Sequence, residues 1–398
     1  MKKNNQKFPK LYWLHPHFYN WMGGHKYIYE VITRLKSMYG VEVILITSGL
    51  NAEATKHFSK SKIPVIKLFS FSTNSIIYWM LLPFFLFIEK WYLIIFKKID
   101  RNAFFISSMF PANVLANSIS FRTAQLCYEP FAFFYDENFI KGFNRFEKIF
   151  ISIISFFYKT LDKKSVQRNR ITFTISQSNK QWIKDSYGIN SKVVYEGVDL
   201  NFFKKTTNLI ISQKYKNKHI IFHSTDYTQI KGTSFLIKAL PKVLKIIPNL
   251  KLIISETLPE SLAKMDILNL VKKLGLTKNI NFVGFLPYEQ LPAYLSLADV
   301  VVQPSIRQSM NLTVKEAMAC ETPIITSLEG YEQTNDGEAG FLVNPHDTGS
   351  LSETIIKCIL DEKESFSFGR KGRKIIENKF SWESVTDKIW KDLKKQYV

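Results

Sequence analysis

The stretch from Ala298 to Ile325 constrains the fold more than any other part of the chain. It opens with an apolar run, residues 299–302, whose lack of polar alternation predicts a buried parallel strand. After a polar loop over residues 304–311, apolar side chains recur at helical spacing until Glu321-Thr322-Pro323 ends the helix, and a β-branched run follows. The order strand, loop, helix, strand predicts an α/β fold with a parallel sheet.

The loop of this unit is suited to an anionic ligand. It leads into a helix N-terminus at the carboxyl end of a predicted strand, where free backbone N–H groups and the helix dipole both favour negative charge, such as that of a diphosphate. Glu316 lies about one turn into the helix, where its carboxylate can accept hydrogen bonds from two ribose hydroxyls. An ordinary strand–helix–strand crossover without a ligand has the same pattern, so this stretch alone leaves both interpretations open.

The residues of this stretch resemble the donor-binding segment of retaining glycosyltransferases of family 4, part of the group 1 glycosyl transferases. The matching positions are Pro304, Ser305, Glu316 and the Ala-Met-Ala of residues 317–319. Two features depart from the family: Gln308 stands where the family has its first glutamate, and Ser309-Met310-Asn311 replaces a small-aromatic-glycine turn. The resemblance implies the GT-B fold: two facing Rossmann-like domains, an active site in the cleft between them, and a C-terminal helix that crosses back to the first domain.

Further segments occur in the order that the family has them. Gly23-Gly24 stands where the first loop meets the first helix, Lys231-Gly232 where the family lysine meets the donor phosphates, and residues 197–205 where the family has its inter-domain hinge. Residues 338–343 resemble a family hairpin. Alternatively, the glycine pair forms an ordinary turn, and Lys231 is a solvent-exposed side chain at the start of a helix. The predicted domains are residues 1–198, 199–380 and, as the final helix, 381–398.

The resemblance assigns roles to individual residues. Glu316 would hold the ribose, and Gln308 would contact the sugar. The diphosphate would be held by Lys231 and by the backbone amides of Ser309, Met310, Asn311 and Leu312. Gly23 and Gly24 would allow the backbone to approach the ligand closely. The family arginine a few residues before Lys231 is missing, because Asp226 stands near its place, and Arg307 is the candidate to replace it. We expect no metal and no cofactor, only a UDP- or GDP-linked sugar as substrate. Lysine and helix dipoles would then balance the phosphate charge.

On the acceptor side, residues 125–136 resemble a Cys-His-x-Pro segment of several family members, with Tyr128 at the histidine position. A phenol with an ordinary pKa near 10 is better suited to donating a hydrogen bond than to relaying a proton near neutral pH. Glu129 beside it is a candidate base or merely a solvated side chain. Tyr128, Glu129 and Gln308 are therefore the candidate catalytic residues.

Charge and apolar segments indicate a membrane partner. The net charge is +20, and residues 1–200 carry 27 Lys+Arg against 13 Asp+Glu, so they account for +14 of it. Residues 75–96 predict a surface or interfacial helix pair interrupted at Pro83, with a buried core helix as the alternative and a membrane span as the least favoured interpretation. Residues 145–170 combine an apolar stripe with basic side chains, which suits either a core helix or anionic lipid. A compositional bias towards lysine also explains part of the excess.

Together these features predict a retaining, metal-independent glycosyltransferase that moves a sugar to a glycan or lipid-linked acceptor in cell-surface polysaccharide or glycoconjugate synthesis. Three scattered cysteines without a CxxC motif suit a reducing compartment, so we expect a cytoplasmic protein, peripheral at the inner face of the cell membrane. Because of Gln308, a catalytically silent subunit that binds a nucleotide sugar or a partner is the first alternative. A nucleic-acid-binding protein is the second, suggested by the pI near 9.6 alone, and we expect no nucleic-acid partner.

Overall fold

The structure is a computed structural model that describes residues 10–19, 21, 23–69, 76–141, 143–257, 263–306, 311–327, 334 and 337–397. The chain divides into two compact units. Unit 1 comprises residues 1–196 and 385–398, and unit 2 comprises residues 197–384. The boundaries predicted from the sequence fall at 198/199 and 380/381, and those of the compact units at 196/197 and 384/385.

Unit 1 is built on a seven-stranded sheet with the order β5-β3-β1-β6-β7-β8-β9, and neighbouring strands are parallel. Its apolar strands are buried on both faces, as parallel sheets between helices require. A short parallel pair, β2 with β4, lies beside the sheet. The strands are β1 Leu11–Leu14, β2 His17–Phe18, β3 Val43–Thr47, β4 Gly49–Leu50, β5 Val65–Lys67, β6 Phe104–Ser107, β7 Thr123–Leu126, β8 Ile171–Thr174 and β9 Lys192–Val193.

The helices of unit 1 pack on this sheet, and the first begins at Gly23, the first residue of the glycine pair. Its inner face, which includes Tyr27 and Leu35, is buried. The helices are α1 Gly23–Tyr39, α2 Ala52–Lys60, α3 Ile76–Met80, α4 Leu82–Trp91, α5 Ala112–Ile119, α6 Ala132–Tyr135, α7 Glu137–Lys141, α8 Arg145–Arg168 and α9 Gln177–Tyr187.

The segment predicted as a helix pair forms α3 and α4, followed by a π-helical turn, Tyr92–Phe96. The two helices separate at Leu81, and Pro83 occupies the first turn of α4, where its missing N–H has no intrahelical acceptor to lose. Trp79 and Leu82 are buried against Ile154 of α8, whereas Phe84 and Phe87 are 57% and 60% exposed. Among the described residues, no helix is both long enough and apolar enough to cross a membrane.

Helix α8 turns much of its predicted apolar stripe outward. A capping box between Asn144 and Glu147 starts the helix. Ile151 and Ile154 face inward, but Phe146 is 84% exposed, and Ile149, Ile153 and Phe157 are also exposed. For these four side chains the interpretation as a core helix is wrong.

Unit 2 contains a six-stranded parallel sheet with the order β12-β11-β10-β13-β14-β15. The strands are β10 His219–Thr225, β11 Leu250–Glu256, β12 Ile280–Phe285, β13 Val300–Gln303, β14 Ile324–Ser327 and β15 Phe341–Val343. Its helices are α10 Leu209–Lys214, α11 Thr233–Ile246, α12 Ala263–Lys273, α13 Leu291–Leu297, α14 Leu312–Ala319, α15 Thr348–Leu360 and α16 Glu362–Ile375. A last helix, α17 Trp382–Tyr397, spans the boundary at residue 384, and its residues from Val385 onward belong to unit 1.

The hairpin predicted at residues 338–343 is wrong. Residues 341–343 form β15, which runs parallel to β14 with Ile325 opposite Phe341. Close packing explains the glycine of this motif, because a Cβ on Gly340 would lie 2.6 Å from the side chain of Ile324. The motif therefore adds an edge strand to the parallel sheet.

Candidate functional site

Strand β13 and helix α14 have the secondary structure that their sequence predicts. Strand β13 is fully buried and lies between β10 and β14. Helix α14 begins after Asn311, whose side-chain oxygen accepts a hydrogen bond from the backbone N–H of Val314 at 3.4 Å. Leu312 is the first helical residue. The N-terminus of α14 therefore follows the carboxyl end of β13, on the side where parallel α/β sheets bind ligands.

Two ionisable side chains of α14 are buried next to each other in sequence. Glu316, the predicted ribose ligand, is only 6% exposed, and Lys315 before it is fully buried. Burial of charged groups is costly unless they are paired or hydrogen-bonded, so both residues are held by their surroundings. Lys315 carries no motif signal and was missed by sequence reasoning. Arg307, Gln308, Ser309 and Met310 lie outside the described residues, and their roles stay predictions.

The turn that carries Lys231 packs directly on the loop after β13. A 3₁₀ turn, Gln229–Lys231, ends at Gly232, which has a φ of +70°. A Cβ on Gly232 would lie 1.9 Å from the carbonyl oxygen of Pro304, so only glycine permits this approach. The backbone N–H of Ile306 donates to the carbonyl oxygen of Ile230 at 2.9 Å. The structure thus brings the predicted phosphate lysine, half-buried, to the edge of the sheet where α14 begins.

A buried histidine in β10 forms hydrogen bonds to strand β13 and to helix α11. His223 lies in β10, with Nδ1 2.8 Å from the carbonyl oxygen of Val302 and Nε2 2.9 Å from the hydroxyl of Thr233, the first residue of α11. Because a carbonyl only accepts, Nδ1 carries the proton and Nε2 accepts from Thr233. Burial lowers the pKa of His223 to about 4, so the ring is neutral at physiological pH. Sequence reasoning missed this role, although a lone polar residue in an apolar strand is a usable signal.

In unit 1 the structure brings two predicted residues, Tyr128 and Gly24, into contact. The Tyr128 hydroxyl donates to the carbonyl oxygen of Gly24 at 2.7 Å, and a Cβ on Gly24 would lie 3.4 Å from the Tyr128 ring. Burial, followed by the neighbouring Tyr27 and Glu196, raises the pKa of Tyr128 well above its ordinary value. The phenol is therefore protonated and engaged as a hydrogen-bond donor. A Cβ on Gly23, the other predicted glycine, would lie 3.5 Å from the carboxylate of Glu196.

A buried network of hydrogen bonds holds the loop around Glu129 in place, and the sequence alone did not indicate it. Glu129 is exposed as a whole residue, but neighbouring atoms partly desolvate its carboxyl, and this desolvation, followed by the negative charge of Asp136, raises the pKa of the carboxyl. Asp162 of α8, 1% exposed, accepts hydrogen bonds from Asn113 at 2.7 Å and from the Tyr187 hydroxyl at 2.8 Å. The same Tyr187 oxygen accepts from the backbone N–H of Phe131 at 3.3 Å. The catalytic roles of Tyr128 and Glu129 stay predictions.

Metal ligands are a separate question. Across the part of the chain that the structure describes, no three His, Cys, Asp or Glu side chains form a group that can hold a metal ion. The expectation that the reaction uses neither metal nor cofactor stays a prediction.

The fold and this arrangement of lysine, helix N-terminus and buried glutamate define an α/β protein with parallel sheets and a candidate anion site at a sheet edge. Residues 204–375, which include Lys231 and Glu316, match the family Glycosyl transferases group 1. This match covers less than half of the chain and agrees with the resemblance predicted for the same residues.

Curated relatives match parts of the chain. It is 26% identical to the capsular polysaccharide biosynthesis glycosyltransferase CapM of Staphylococcus aureus over 269 residues. The matched region covers 65% of this chain and 66% of the relative. It is also 26% identical to N-acetyl-alpha-D-glucosaminyl L-malate synthase of Bacillus anthracis, over 54% of each chain. The chain thus spans roughly half to two thirds of the length of these relatives.

Solved structures match the whole fold. A glycosyltransferase from Rickettsia africae has a TM-score of 0.75 at 19% identity, covering 98% of this chain and 99% of that one. HepE from Anabaena, solved in complex with UDP and glucose, has a TM-score of 0.71 at 17% identity, covering 97% and 99%. With the two parallel sheets, these similarities confirm the prediction of a GT-B fold made of two Rossmann-like domains.

Proposed function

We propose that this protein is a glycosyltransferase that moves a sugar from a nucleotide-sugar donor to a glycan or lipid-linked acceptor. The observation that carries the proposal is the contact between the turn of Lys231 and the loop that leads into α14. It supports a site formed by a cationic side chain and a helix N-terminus at one edge of a parallel sheet, within residues 204–375, which match the family Glycosyl transferases group 1.

The chemistry of these groups fits a nucleoside diphosphate leaving group. As the bond to the sugar breaks, negative charge grows on the diphosphate oxygens, and groups already positioned around them stabilise that charge without reorganising. Lys231 supplies a full positive charge, and the first N–H groups of α14 supply partial ones. Glu316 has only acceptor atoms when ionised, which suits the two hydroxyls of a ribose. In this assignment Arg307, Ser309 and Met310 complete the phosphate site, and Gln308 contacts the sugar.

The finer parts of the proposal rest on resemblance. Retention at the anomeric carbon and independence of metal follow from the motifs shared with family 4. A polysaccharide acceptor is supported by CapM, which is named for capsular polysaccharide biosynthesis, and a UDP-linked donor by HepE, which was solved with UDP and glucose. The anomeric configuration of a product, read from its proton coupling constant by NMR, tests retention. Turnover in the presence of a chelator tests metal independence.

We also include peripheral contact with an anionic membrane in the proposal. Helices α3 and α4 pack against α8, and the Tyr158 hydroxyl donates to the carbonyl oxygen of Trp79 at 2.6 Å. Both partners expose large apolar side chains, among them Phe84, Phe87 and Phe146. Exposed basic side chains accompany them, namely Lys97, Lys98, Lys148, Lys159, Lys163 and Lys164. Apolar side chains rimmed by lysine suit insertion between anionic headgroups.

Vesicle binding tests the membrane contact. We expect the protein to sediment with vesicles of phosphatidylglycerol and phosphatidylcholine at low salt, and less with pure phosphatidylcholine. The double variant Phe84→Ser and Phe87→Ser should lose most of this binding, because it removes exposed rings without opening the core. Equal sedimentation of wild type and double variant would contradict the assigned surface.

Thermal stabilisation by nucleotides tests the function itself. A ligand at about 100 times its Kd stabilises the folded state by roughly 2.7 kcal/mol. We expect one of UDP, GDP or their sugars to raise Tm in the wild type and not in Glu316→Ala or Lys231→Ala. Glu353→Ala is the matched control, because Glu353 is an exposed side chain of unit 2 that pairs with Lys242 on α11.

The outcomes separate the candidate functions. Donor hydrolysis or sugar transfer by the protein supports the enzyme, and nucleotide binding without turnover supports a catalytically silent subunit. Salt-sensitive retention on DNA without nucleotide binding supports a nucleic-acid-binding protein. If no nucleotide raises Tm, or if Glu316→Ala and Lys231→Ala keep the full effect, the proposed site is wrong.

A further inference from the structure

Unit 1 has an open groove between α8 and the two short helices α6 and α7, which pack against it. None of the sequence motifs predicts this groove. Its free volume is about 540 Å³, which lies within the range of roughly 300–1,000 Å³ that ligand sites occupy. The groove is therefore large enough for a lipid headgroup and the first part of its chains.

A polar stripe on α8 forms the floor of the groove. Lys148, Ser152, Ser155 and Lys159 line it at intervals of four, three and four residues, so they lie on one face of the helix. The two lysines are exposed, and the serines lie between them. Across these eleven residues the helix rises by about 16.5 Å, and two flexible four-carbon stems can converge over that distance on one anion above the serines.

The charges around the groove favour a phosphate at this stripe. No aspartate or glutamate is among the described residues that line it. Nζ of Lys159 lies 4.6 Å from the centre of the Tyr135 ring, a contact weaker than a charge-assisted hydrogen bond, so Lys159 can exchange it for a phosphate. An adjoining pocket beyond Lys159 carries Asp136, Glu137 and Asp185, which repel an anion and confine it to the stretch between the lysines.

The walls of the groove are apolar. Phe133 and Phe134 of α6 and Ile140 of α7 line it from one side. Phe156 of α8, which is 81% exposed, borders it as well. Covering such side chains with apolar atoms is favourable, because it removes their surface from water. A ligand that suits both floor and walls has an anionic head and an apolar chain.

The groove adjoins the surface assigned to the membrane. Lys148 and Lys159 are among the basic side chains of that surface, and Phe146 and Phe157 of the same helix are exposed. A lipid at the boundary of the bilayer that contacts α8 therefore meets the groove on the same helix. Apolar side chains rimmed by lysine suit the lipid of an anionic membrane.

We propose that this groove binds one molecule of an anionic phospholipid. Its phosphate lies between Lys148 and Lys159, its glycerol oxygens lie at the hydroxyls of Ser152 and Ser155, and its acyl chains cover the phenylalanine side chains of the walls. The inference rests on the proposed membrane contact and names its lipid partner. It adds a stoichiometric headgroup site to the general attraction between a basic surface and an anionic bilayer.

Calorimetric titration of the full chain with dihexanoyl phosphatidylglycerol, below its micelle concentration, tests the proposal. Glycerol 3-phosphate has the phosphate without the chains, and dihexanoylglycerol has the chains without the phosphate. We expect the short-chain phospholipid to bind as one molecule per chain and at least tenfold more tightly than either fragment.

Two double variants with the same loss of charge separate the groove from general attraction. Lys148→Ala with Lys159→Ala should weaken binding of the short-chain phospholipid at least tenfold. Lys163→Ala with Lys164→Ala is the matched control, because it removes two exposed lysines of the same helix that do not line the groove. This control should leave the affinity unchanged.

Three results would overturn the groove: an equal loss in both double variants, binding of glycerol 3-phosphate as tight as that of the phospholipid, which would assign the lysines to a free phosphate, or no binding of the phospholipid. Vesicle sedimentation of the same proteins separates this inference from the membrane contact. Sedimentation without binding of the short-chain phospholipid refutes only the groove, and such binding without sedimentation refutes only the membrane contact. Thermal stabilisation by nucleotides tests the glycosyltransferase function independently of both.

Discussion

Replacing Gly232 by alanine tests the close approach that positions Lys231. Gly232 has a φ of +70°, and a residue with a Cβ in this left-handed region costs about 1–2 kcal/mol. The added Cβ would also lie 1.9 Å from the carbonyl oxygen of Pro304, whereas ordinary contacts begin at 3.4 Å. The turn and the loop must therefore separate by 3.4 − 1.9 = 1.5 Å along this contact.

The magnitude follows from what this separation breaks. The hydrogen bond from Ile306 to Ile230, 2.9 Å long, joins the same two segments and is worth about 1 kcal/mol. Added to the backbone strain, the loss of unfolding free energy is about 2–3 kcal/mol. A shift of about 1 Å in a binding group can cost roughly a hundredfold in function. Since Lys231 precedes Gly232 directly, we expect nucleotide affinity to fall at least tenfold.

Gly275→Ala is the matched control for this experiment. Gly275 also lies in unit 2 and has a φ of +69°, but no atom lies within 4 Å of the position of its Cβ. It should lose about 1–2 kcal/mol from backbone strain and keep its nucleotide affinity. Urea denaturation measures the stability of both variants, and calorimetry measures nucleotide binding. If the two variants lose the same free energy and bind nucleotide equally, the contact between turn and loop does not position Lys231.

Further substitutions test two buried polar groups. Burial raises the pKa of Asp162 to about 6 from 3.8, so the wild type should lose up to roughly 3 kcal/mol of stability as pH rises from 4 to 7; urea denaturation of Asp162→Asn should lack this loss, and parallel pH curves would contradict it. His223→Leu removes the donor to the Val302 carbonyl and the ring acceptor of the Thr233 hydroxyl, which then keeps only Thr225 as a partner. It should cost about 1–3 kcal/mol in thermal denaturation, with a smaller loss in His223→Gln, which keeps a donor and an acceptor; equal losses would assign the effect to side-chain volume.

Local sequence signals predicted the segments around the donor site well. The apolar run of β13, the polar loop and the helix that begins at Leu312 all follow from neighbouring residues, and the N-cap Asn311 lies where the pattern changes. Elements of this kind are specified by periodicity and capping, which act within a few residues.

What the sequence did not predict depends on contacts between distant residues. The apolar stripe of α8 has no feature that distinguishes the side chains that meet α3 and α5 from those that face outward, so the sequence left open whether Phe146 is buried or exposed. In the sequence, Asp162 is only an acidic residue next to lysines. Its role depends on hydrogen bonds from Asn113 and Tyr187, which are distant in the chain. The direction of β15 is set by pairing with β14, which lies outside its own motif. Each of these properties is decided by tertiary packing, which overrides local pattern.

The positive charge of unit 1 and the exposed apolar side chains of α4 contribute differently to the proposed membrane contact. The exposed lysines of α8, among them Lys148 and Lys163, face solvent. Long-range attraction by exposed lysines concentrates the protein at an anionic surface and fades with salt, whereas burial of exposed rings such as Phe84 is not screened by salt. Raising the ionic strength should therefore weaken the binding of wild type to anionic vesicles, and binding that is unaffected by salt would assign the contact to the apolar side chains alone.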